Sequence, residues 1–491
     1  MLSAIIFLPL VGAVVVASLF RDYRQVRLAA LAFVVADFVL SLVLFGLFDR
    51  ASADVQFVER IRWIPSVNVQ YFLGVDGLNL PMIMLTTLLG VVAVLVSWRI
   101  EVRPREYYAW LLVLQTSVLG VFCSLDLLMF FLFWELELIP MFLLIAIWGS
   151  PPPLGRREYS AMKFLTFTLL GSAFMLVGIL ALYFSTGTFD MLVLSQTTVR
   201  PVLFTLPAIF WLIFAGFAVK LPTIPLHTWL PDAHTDAPTA VSVILAGVLL
   251  KMGGYGMIRV GAGIFPGVVR DFAWLLALLA VVAVLYGAVV TLRQRDLKRL
   301  IAYSSVSHMG YVLLGIAALN QVGLSGASLQ MFTHGTITGL LFALVGLLYD
   351  KAHTRQLPEL GGLVSRMPFI AVAMAIAGLA SLGLPGLSGF AAEFLVFTGA
   401  FSSPLLTGAQ LYAILGVVGI VITAGYILWM IQRAFFGPAR EEFGRVPDAT
   451  FLEGIPVAAL VIATVVIGVY PALLTDVINM GVAPIVARLL G

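Results

Sequence analysis

The residues of this chain best suited to chemistry are ionisable side chains set inside long apolar stretches. Lys220 ends the run LPAIFWLIFAGFAV, and Lys251 lies in the middle of VSVILAGVLLKMGGYGMI. A charge at the centre of a membrane helix costs roughly 2.5–3.5 kcal/mol, so such a residue should face protein or water and have a partner. Lysines kept at these positions are therefore candidates for carrying protons.

Two prolines after Lys220 indicate that its helix is interrupted there. Pro222 and Pro225 cannot donate backbone hydrogen bonds, and each disfavours the helical conformation of the residue before it. The interruption exposes backbone carbonyl groups. Because a broken helix at membrane depth is tolerated only where it is packed in protein or lines a wet cavity, the segment predicts a site on an ion pathway.

Glu135 and Glu137 lie in the apolar stretch SLDLLMFFLFWELELIPMFLLIAIWG. Residues two apart in an α-helix point about 200° apart, so the two carboxylates cannot share a face. We expect Glu135 to face the interior and to form a switchable ion pair with Lys220, because desolvation opposes the charged forms and pairing favours them. Glu137 is the weaker candidate, for which a functional role and a structural role both stay open.

Three histidines and one more glutamate complete the candidates. His308 follows a serine-rich stretch in IAYSSVSHMGYVLLG, His334 follows Thr333, and Glu393 comes after the helix-breaking segment GLPGLSG. Histidine titrates near pH 6.5 and can pass protons in both directions. His227 lies in HTWLPDAHTDAPTA, where the acidic residues also fit turn and helix-cap positions. For each histidine, a purely structural role in the core is the alternative.

The composition is that of a polytopic membrane protein. The 491 residues are 61% hydrophobic and 11% charged, and apolar runs of about 20 residues, the length needed to cross a bilayer, recur along the chain. These runs predict an all-α protein with about fourteen spans, near 2–20, 28–48, 76–98, 108–123, 127–148, 162–184, 204–220, 238–258, 272–292, 300–319, 324–348, 368–401, 410–432 and 454–474.

The same composition argues against several classes of cofactor. The single cysteine, Cys123, excludes disulfides and a cysteine-bound iron-sulfur cluster. The five histidines lack the paired spacing of a diheme helix bundle. Neither a Walker A sequence nor a glycine-rich dinucleotide motif is present. We therefore expect no cofactor and no metal in this chain, and no binding of nucleic acid.

The distribution of basic residues predicts the topology. Of the 28 Lys and Arg residues, 19 lie in loops after odd-numbered spans. Such loops face the cytoplasm under the positive-inside rule, so both termini should lie on the outer side. The other nine are six residues in even-numbered loops, two in spans and one in the C-terminal tail: Arg50, Arg60, Arg62, Arg200, Arg259 and Arg270; Lys220 and Lys251; and Arg488.

Short internal similarities predict an inverted repeat. The segment GFAVK ends at Lys220 and GFAAE ends at Glu393, 173 residues later. Glu135 precedes Lys220 by 85 residues, and His308 precedes Glu393 by the same 85. Corresponding residues of the two units, Lys220 and Glu393 or Glu135 and His308, lie five predicted helices apart. Because five is an odd number, the two units have opposite orientations in the membrane. Discontinuous helices at corresponding places of two inverted halves are typical of transporters.

With these residues in place, the chain closely resembles the chain 4, or M subunit, family of respiratory complex I, which includes the D chain of the photosynthetic NDH complex. The matching motifs are WELELIP, KLPTIPLHTWLPDAHTDAPTAVSVILAGVLLKMGGYG, RDLKRLIAYSSVSHMGYVLLG and LPGLSGFAAEFLVF, within residues 70–440. The resemblance implies fourteen helices, two inverted five-helix repeats with discontinuous helices 7 and 12, and a proton channel. Its proton-relay residues, in helices five, seven, eight, ten and twelve, fall on Glu135, Lys220, Lys251, His308 and Glu393.

The resemblance also implies a function as a non-redox, proton-translocating subunit of an NADH-quinone or ferredoxin-quinone oxidoreductase. NADH, FMN, iron-sulfur clusters and quinone would be bound by partner subunits, with antiporter-like L and N chains as neighbours. The expected location is the bacterial inner membrane, or the thylakoid membrane for a cyanobacterial type. A subunit of a multisubunit sodium-proton antiporter is the alternative, although such chains typically carry lysine at the position of Glu393.

The predicted repeat divides the chain into four parts. Residues 1–105 would hold helices 1–3, and residues 106–262 the first repeat with helices 4–8. Residues 263–440 would hold the second repeat with helices 9–13. Residues 441–491 would hold the single C-terminal helix 14.

Overall fold

The computed structural model describes residues 1–438, 443 and 446–491. This part of the chain is helical apart from its loops, three single 3₁₀ turns and one β-hairpin. In chain order the elements are α1 (Leu2–Ser18), α2 (Tyr23–Leu47), β1 (Gln56–Ile64), β2 (Val69–Val75), α3 (Leu80–Val96), α4 (Pro104–Cys123), α5 (Leu127–Leu136), α6 (Leu138–Trp148), α7 (Arg157–Thr186), α8 (Met191–Gln196), α9 (Leu206–Lys220), α10 (Trp229–Asp236), α11 (Thr239–Ala262), α12 (Pro266–Asp271), α13 (Ala273–Thr291), α14 (Leu297–Ala317), α15 (Gln321–Ala352), α16 (Pro368–Ser381), α17 (Ser388–Phe401), α18 (Ala409–Phe435), α19 (Phe451–Val469) and α20 (Ala472–Leu490).

Within the described residues, eleven helices are long and apolar enough to cross a membrane, and five shorter apolar helices accompany them. The chain is therefore a multi-pass membrane protein. The expectation of one helix in 441–491 is wrong, because this region holds both α19 and α20. Pro471 ends the first of these, and the second contains Asp476 and Asn479, so it lacks the uninterrupted apolar run by which the other spans were predicted.

The β-hairpin between α2 and α3 departs from the predicted all-α class. Strands β1 and β2 pair antiparallel, with Arg60 opposite Phe72. The hairpin is tied to the helices by two charged residues of β1. Glu59 accepts hydrogen bonds from the start of α1, including the amide of Leu2 at 2.8 Å, and Arg60 pairs with Asp190 before α8 at 2.6 Å. It thus fixes the N-terminal helix to the rest of the molecule.

Helices are interrupted at the places that carry ionisable residues. Helix α9 ends at Lys220 and the chain becomes helical again at Trp229, while α16 and α17 are separated by residues 382–387. Both interruptions were expected. A third, between α5 and α6, falls on Glu137, whose backbone joins the two helices. Helix α11 stays continuous but contains two π-helical stretches, Leu245–Leu249 and Met257–Ala262.

The centre of the molecule is formed by α11, α14 and α15, which are buried along almost their whole lengths. Helices α11 and α15 approach closely where Gly247 faces Gly335. A Cβ atom added to Gly335 would lie 2.6 Å from the carbonyl oxygen of Gly247, so α15 could not come this near with a side chain at position 335. The four-part division of the chain stays a prediction; its last boundary, together with Arg440 and Arg445, lies outside the described residues.

Candidate functional site

Lys220 is buried at the carboxyl end of α9, where the negative end of the helix dipole favours a cation. Its ammonium group donates a hydrogen bond to the carboxylate of Glu137. The rings of Phe164 and Trp134 lie 5.2 and 5.7 Å from the same nitrogen. The indole of Trp229 donates to the carbonyl of Val219 at 3.0 Å, which satisfies one of the groups freed by the interruption.

The expected ion pair between Glu135 and Lys220 is wrong as a direct contact. Glu135 is only partly buried, and its Oε1 has no hydrogen-bond partner in the part of the chain that the structure describes. The interruption after Leu136 aims Glu137, rather than Glu135, at the end of α9. Glu135 faces Ser172 of α7 and lies within electrostatic range of Lys220, so it is a neighbour of the pair.

Lys251 is completely buried in α11 and has two partners. Its ammonium group donates to the carbonyl of Ala246 and lies 2.7 Å from Nδ1 of His334. Ala246 belongs to the first π-helical stretch, where the altered bonding pattern leaves carbonyl groups for a side chain; such irregularities are frequent at functional sites. The close approach of Gly247 and Gly335 brings the two nitrogens together, because His334 adjoins Gly335 and Lys251 lies one turn after Gly247.

A line of titratable groups continues from Lys251 to Glu393. The rings of His334 and His308 lie 5.5 Å apart, and Nδ1 of His308 is 3.6 Å from Oε1 of Glu393. Nε2 of His308 is 3.2 Å from the hydroxyl of Ser381, the last residue of α16. Gly383, at φ +77°, leaves room for Glu393, since a Cβ atom there would meet its carboxylate. The structure therefore joins four of the predicted residues in one buried series.

Two predicted connections are not made by direct contact. Between α9 and α11, Gly253 packs closely against the backbone of Phe217 and Leu221, and no hydrogen bond joins Lys220 to Lys251 among the described residues. His227 packs edge-on against Tyr286 at 5.3 Å and touches none of the other predicted relay residues within the described chain. A structural role for His227 therefore fits the geometry better than a role in proton transfer.

The acidic residues of the interrupted segment have structural contacts. Oδ2 of Asp236 accepts hydrogen bonds from the hydroxyl of Ser160 at 2.5 Å and the amide of Arg156 at 3.0 Å. Asp236 ends α10 and its side chain does not cap the start of α11, contrary to the helix-cap position that the sequence suggested. Asp232 pairs with Lys163 at 2.7 Å.

Several buried polar residues were missed by the sequence reasoning. Asp37 lies fully buried in α2, where its Oδ2 accepts a hydrogen bond from Gln115 at 2.7 Å; a lone acid in an apolar run was a signal that could have found it. Arg259, counted as a loop residue, lies in α11 and pairs with Asp76 at 2.6 Å. Lys298, one of the 19 basic residues assigned to loops after odd-numbered spans, is buried as well.

Within the described residues, no group of three or more His, Cys, Asp or Glu side chains is arranged to hold a metal ion. The absence of a metal and of cofactors from this chain stays a prediction.

Buried lysine, histidine and glutamate side chains, placed at interrupted helices of a multi-pass membrane protein, define the class of ion-translocating membrane proteins. Comparison with known proteins gives the particular family. The family model "NADH:quinone oxidoreductase/Mrp antiporter, TM" matches residues 124–423. The chain belongs to this family.

Individual relatives agree with this assignment over nearly the whole chain. The "NADH-quinone oxidoreductase subunit M" of Rhodobacter capsulatus is 44% identical, over 99% of this chain and 96% of the relative. The "NAD(P)H-quinone oxidoreductase chain 4 1" of Synechococcus elongatus is 43% identical, over 99% and 91%. A chain in the structure "Respiratory complex I from Thermus thermophilus with bound NADH" superposes with a TM-score of 0.89 at 28% identity, covering 100% of both chains.

Proposed function

We propose that this chain is the antiporter-like, proton-translocating membrane subunit of an NADH:quinone oxidoreductase and does no redox chemistry itself. The observation that carries the proposal is the buried series Lys251, His334, His308 and Glu393. Each member can gain and lose a proton, and adjacent members are near enough to exchange one directly or through one water molecule. NADH, FMN, iron-sulfur clusters and quinone would be bound by partner subunits.

The ion pair of Lys220 and Glu137 would act as the switch. A buried pair is held by mutual attraction against a large cost of desolvation, so a small displacement changes its free energy by several kcal/mol. Moving one charge against 100 mV costs about 2.3 kcal/mol, which a change of this size can supply. When the pair opens, Lys220 loses the stabilisation given by Glu137 and releases its proton toward Lys251. Glu135 lies near enough to interact with Lys220 in place of Glu137.

The direction of transport follows from the predicted topology. Protons would be taken up from the cytoplasm, pass along the middle of the membrane through Lys251, His334 and His308, and leave outward by Glu393. The two interruptions, at the end of α9 and between α16 and α17, support two inverted five-helix repeats in a fourteen-helix core. Both termini would lie on the outer side of a bacterial inner membrane or a thylakoid membrane. Antiporter-like L and N chains are the expected neighbours among the membrane subunits.

The test is proton pumping by the assembled complex with Lys220→Ala. Pumping in closed vesicles should fall to the background, while assembly on a native gel is retained. Lys163→Ala is the matched control, because it removes a lysine that pairs with Asp232 away from the relay. Pumping at the parental rate by a fully assembled Lys220→Ala complex would refute the proposal.

A subunit of a sodium-proton antiporter is the second candidate, since the matching family includes Mrp antiporters. The link between Lys251 and His334 favours protons, because an ammonium group and an imidazole offer no oxygen ligands to a hard cation such as sodium. Purification of the native complex separates the two functions. Recovery of the chain with quinone-reducing iron-sulfur subunits supports the oxidoreductase, and recovery with small membrane subunits alone would support the antiporter.

A further inference from the structure

A cavity of about 350 Å³ opens at the end of the molecule where α3, α6 and α15 finish and α11 and α14 begin. We name this end the basic face, because it carries the loops rich in Lys and Arg. The cavity walls include Ser97, Trp148, Thr239, Lys298 and Asp350, and we name it the Lys298 cavity. A water molecule occupies about 30 Å³ in the liquid, so the cavity has room for several.

The burial and the position of Lys298 differ from those of a lysine that only anchors a loop at the membrane surface. It is 5% exposed and lies in the first turn of α14, where the positive end of the helix dipole disfavours a cation. Its Nζ donates to the carbonyl of Ala237 at 2.7 Å, and it forms no ion pair with a carboxylate in the described chain. The charged groups within electrostatic range are Arg355, Asp296, Asp236 and Asp350.

The wall of the cavity includes Ala237, which lies close along the chain to a buried histidine, His234. Ala237, the acceptor of the Lys298 hydrogen bond, directly follows α10, and His234 lies about one turn earlier, within that helix. His234 is fully buried and stacks on Phe342 of α15 with ring centroids 4.7 Å apart. Neither of its ring nitrogens has a hydrogen-bond partner among the residues described. His234 lies within electrostatic range of both Lys298 and Lys251.

We infer that the Lys298 cavity is the proton entrance of this chain, with Lys298 and His234 carrying the proton from the basic face to Lys251. The inference rests on the proposed function and adds the residues of uptake. In the first step an N–H bond of the Lys298 ammonium breaks and an N–H bond forms on the His234 imidazole. In the second step His234 gives a proton to the neutral amine of Lys251. A hydronium ion in the cavity water then gives its proton to the neutral amine of Lys298 and remains as water.

A structural role for Lys298, as the cap of the Ala237 carbonyl, makes a different prediction for one substitution. In Lys298→Arg the side chain keeps the charge and the hydrogen bond, but a guanidinium cannot lose its proton in a protein. We expect at least a ten-fold loss of pumping in Lys298→Arg and in Lys298→Met, with the complex assembled. Arg293→Met, an exposed position in the same basic segment, is the control and should pump like the parent.

Labelling of single cysteines tests the cavity without measuring pumping. The only native cysteine, Cys123, is buried and serves as the blank. Thr239→Cys on the cavity wall should react with a membrane-impermeant thiol reagent, from the same side of the membrane as Arg293→Cys. Thr336→Cys, buried in α15 away from the cavity, should stay unlabelled. The labelling of Thr239→Cys should persist in a Lys220→Ala background.

The outcomes separate this inference from the proposed function. If Lys298→Arg pumps like the parent while Lys220→Ala does not, the entrance is wrong and the proposed function stands. If Thr239→Cys is unlabelled, or labelled only from the side opposite Arg293→Cys, the entrance is wrong as well. Parental pumping by Lys220→Ala overturns the proposed function itself.

Discussion

Nζ of Lys251 lies 2.7 Å from Nδ1 of His334, deep inside the molecule and without a carboxylate beside either group in the described chain. At this distance one nitrogen must donate and the other accept, so the pair shares a single proton. Whichever residue holds it, the total charge is the same. The proton can therefore transfer between Lys251 and His334 without a second charge entering the protein. We expect this contact to be the central transfer step of the pathway.

Removing the imidazole of His334 should interrupt transport. We expect His334→Phe to keep the ring volume and to lower proton pumping by about 100-fold, the usual scale for loss of a proton-transferring group. Thr338→Val, one turn further along α15, removes a hydroxyl but no titratable group and is the control. Pumping is measured in vesicles together with assembly. An assembled His334→Phe complex that pumps within two-fold of the parent would exclude His334 from the route.

The spacing of α11 and α15 can be altered without touching a titratable group. In Gly335→Ala the added methyl group would lie 2.6 Å from the carbonyl oxygen of Gly247. The two helices must move apart, at a cost of about 1–3 kcal/mol for overpacking. Because His334 then leaves Lys251, pumping should fall while quinone reductase assembly is retained. Gly267→Ala, where open space surrounds the added atom, should leave both properties unchanged.

The structure makes Glu137 the direct counter-ion of Lys220. Glu137→Gln leaves a buried ammonium without an anion, and loss of one partner of a buried pair costs about 3–5 kcal/mol. Glu135→Gln should cost clearly less, because Glu135 is more exposed and does not contact Lys220. The thermal stability of the purified complex measures both. The double variant Lys220→Ala with Glu137→Gln should lose less stability than the sum of the single variants, and simple additivity would contradict the pairing.

Glu393 should tolerate only substitutions that can still titrate. Glu393→Gln keeps the size and the capacity for hydrogen bonding but cannot ionise, so pumping should fall strongly. Glu393→Asp should retain a good part of the activity, and Glu393→Lys should retain some, since a lysine can also gain and lose a proton. Proton uptake by vesicles is the measurement, with assembly checked on a native gel. If Glu393→Gln pumps normally when assembled, the exit must lie elsewhere.

Asp37 should act as a neutral hydrogen-bonding group that fixes α2 against α4. Its Oδ2 accepts from Gln115, and no cation contacts it among the described residues. Asp37→Asn should therefore change the stability of the complex by less than about 1 kcal/mol, and Gln115→Leu, which leaves the buried carboxyl unpaired, should cost about 1–3 kcal/mol. Thermal unfolding of the purified complex measures both variants. A severe loss of stability in Asp37→Asn would show that the ionised form is required.

Much of the site could be predicted because its residues violate the rule of apolar membrane helices. Lys220, Lys251 and Glu393 stand out by charge alone, and the prolines after Lys220 mark the interruption without any knowledge of the fold. The positions of most long helices follow from the lengths of the apolar runs in the same way, although α20 was missed. These features depend on neighbouring residues, which a sequence displays directly.

The partners within the site depend on backbone details that the sequence does not display. A regular helix through Glu135 and Glu137 gives the wrong counter-ion for Lys220, because the helix ends between them. A π-helical stretch before Lys251 inserts an extra residue in a turn and rotates the remainder of the helix, so a helical wheel assigns the wrong face. Lys298 belongs to a run of basic residues, and only the packing of α14 against α10 separates it from its exposed neighbours.

Because Trp134 lies close to Lys220, its fluorescence should report the protonation of Lys220. The emission wavelength of an indole depends on the electric field across its ring, and the ammonium nitrogen of Lys220 lies 5.7 Å from the centre of this one. When the proton leaves Lys220 the field across the ring changes, because the ammonium group no longer balances the carboxylate of Glu137, and the emission wavelength of Trp134 should shift. The difference between spectra of the parent and of Trp134→Phe isolates this signal from those of the other tryptophans. Turnover of the switch could then be followed in real time, with light instead of a pH electrode.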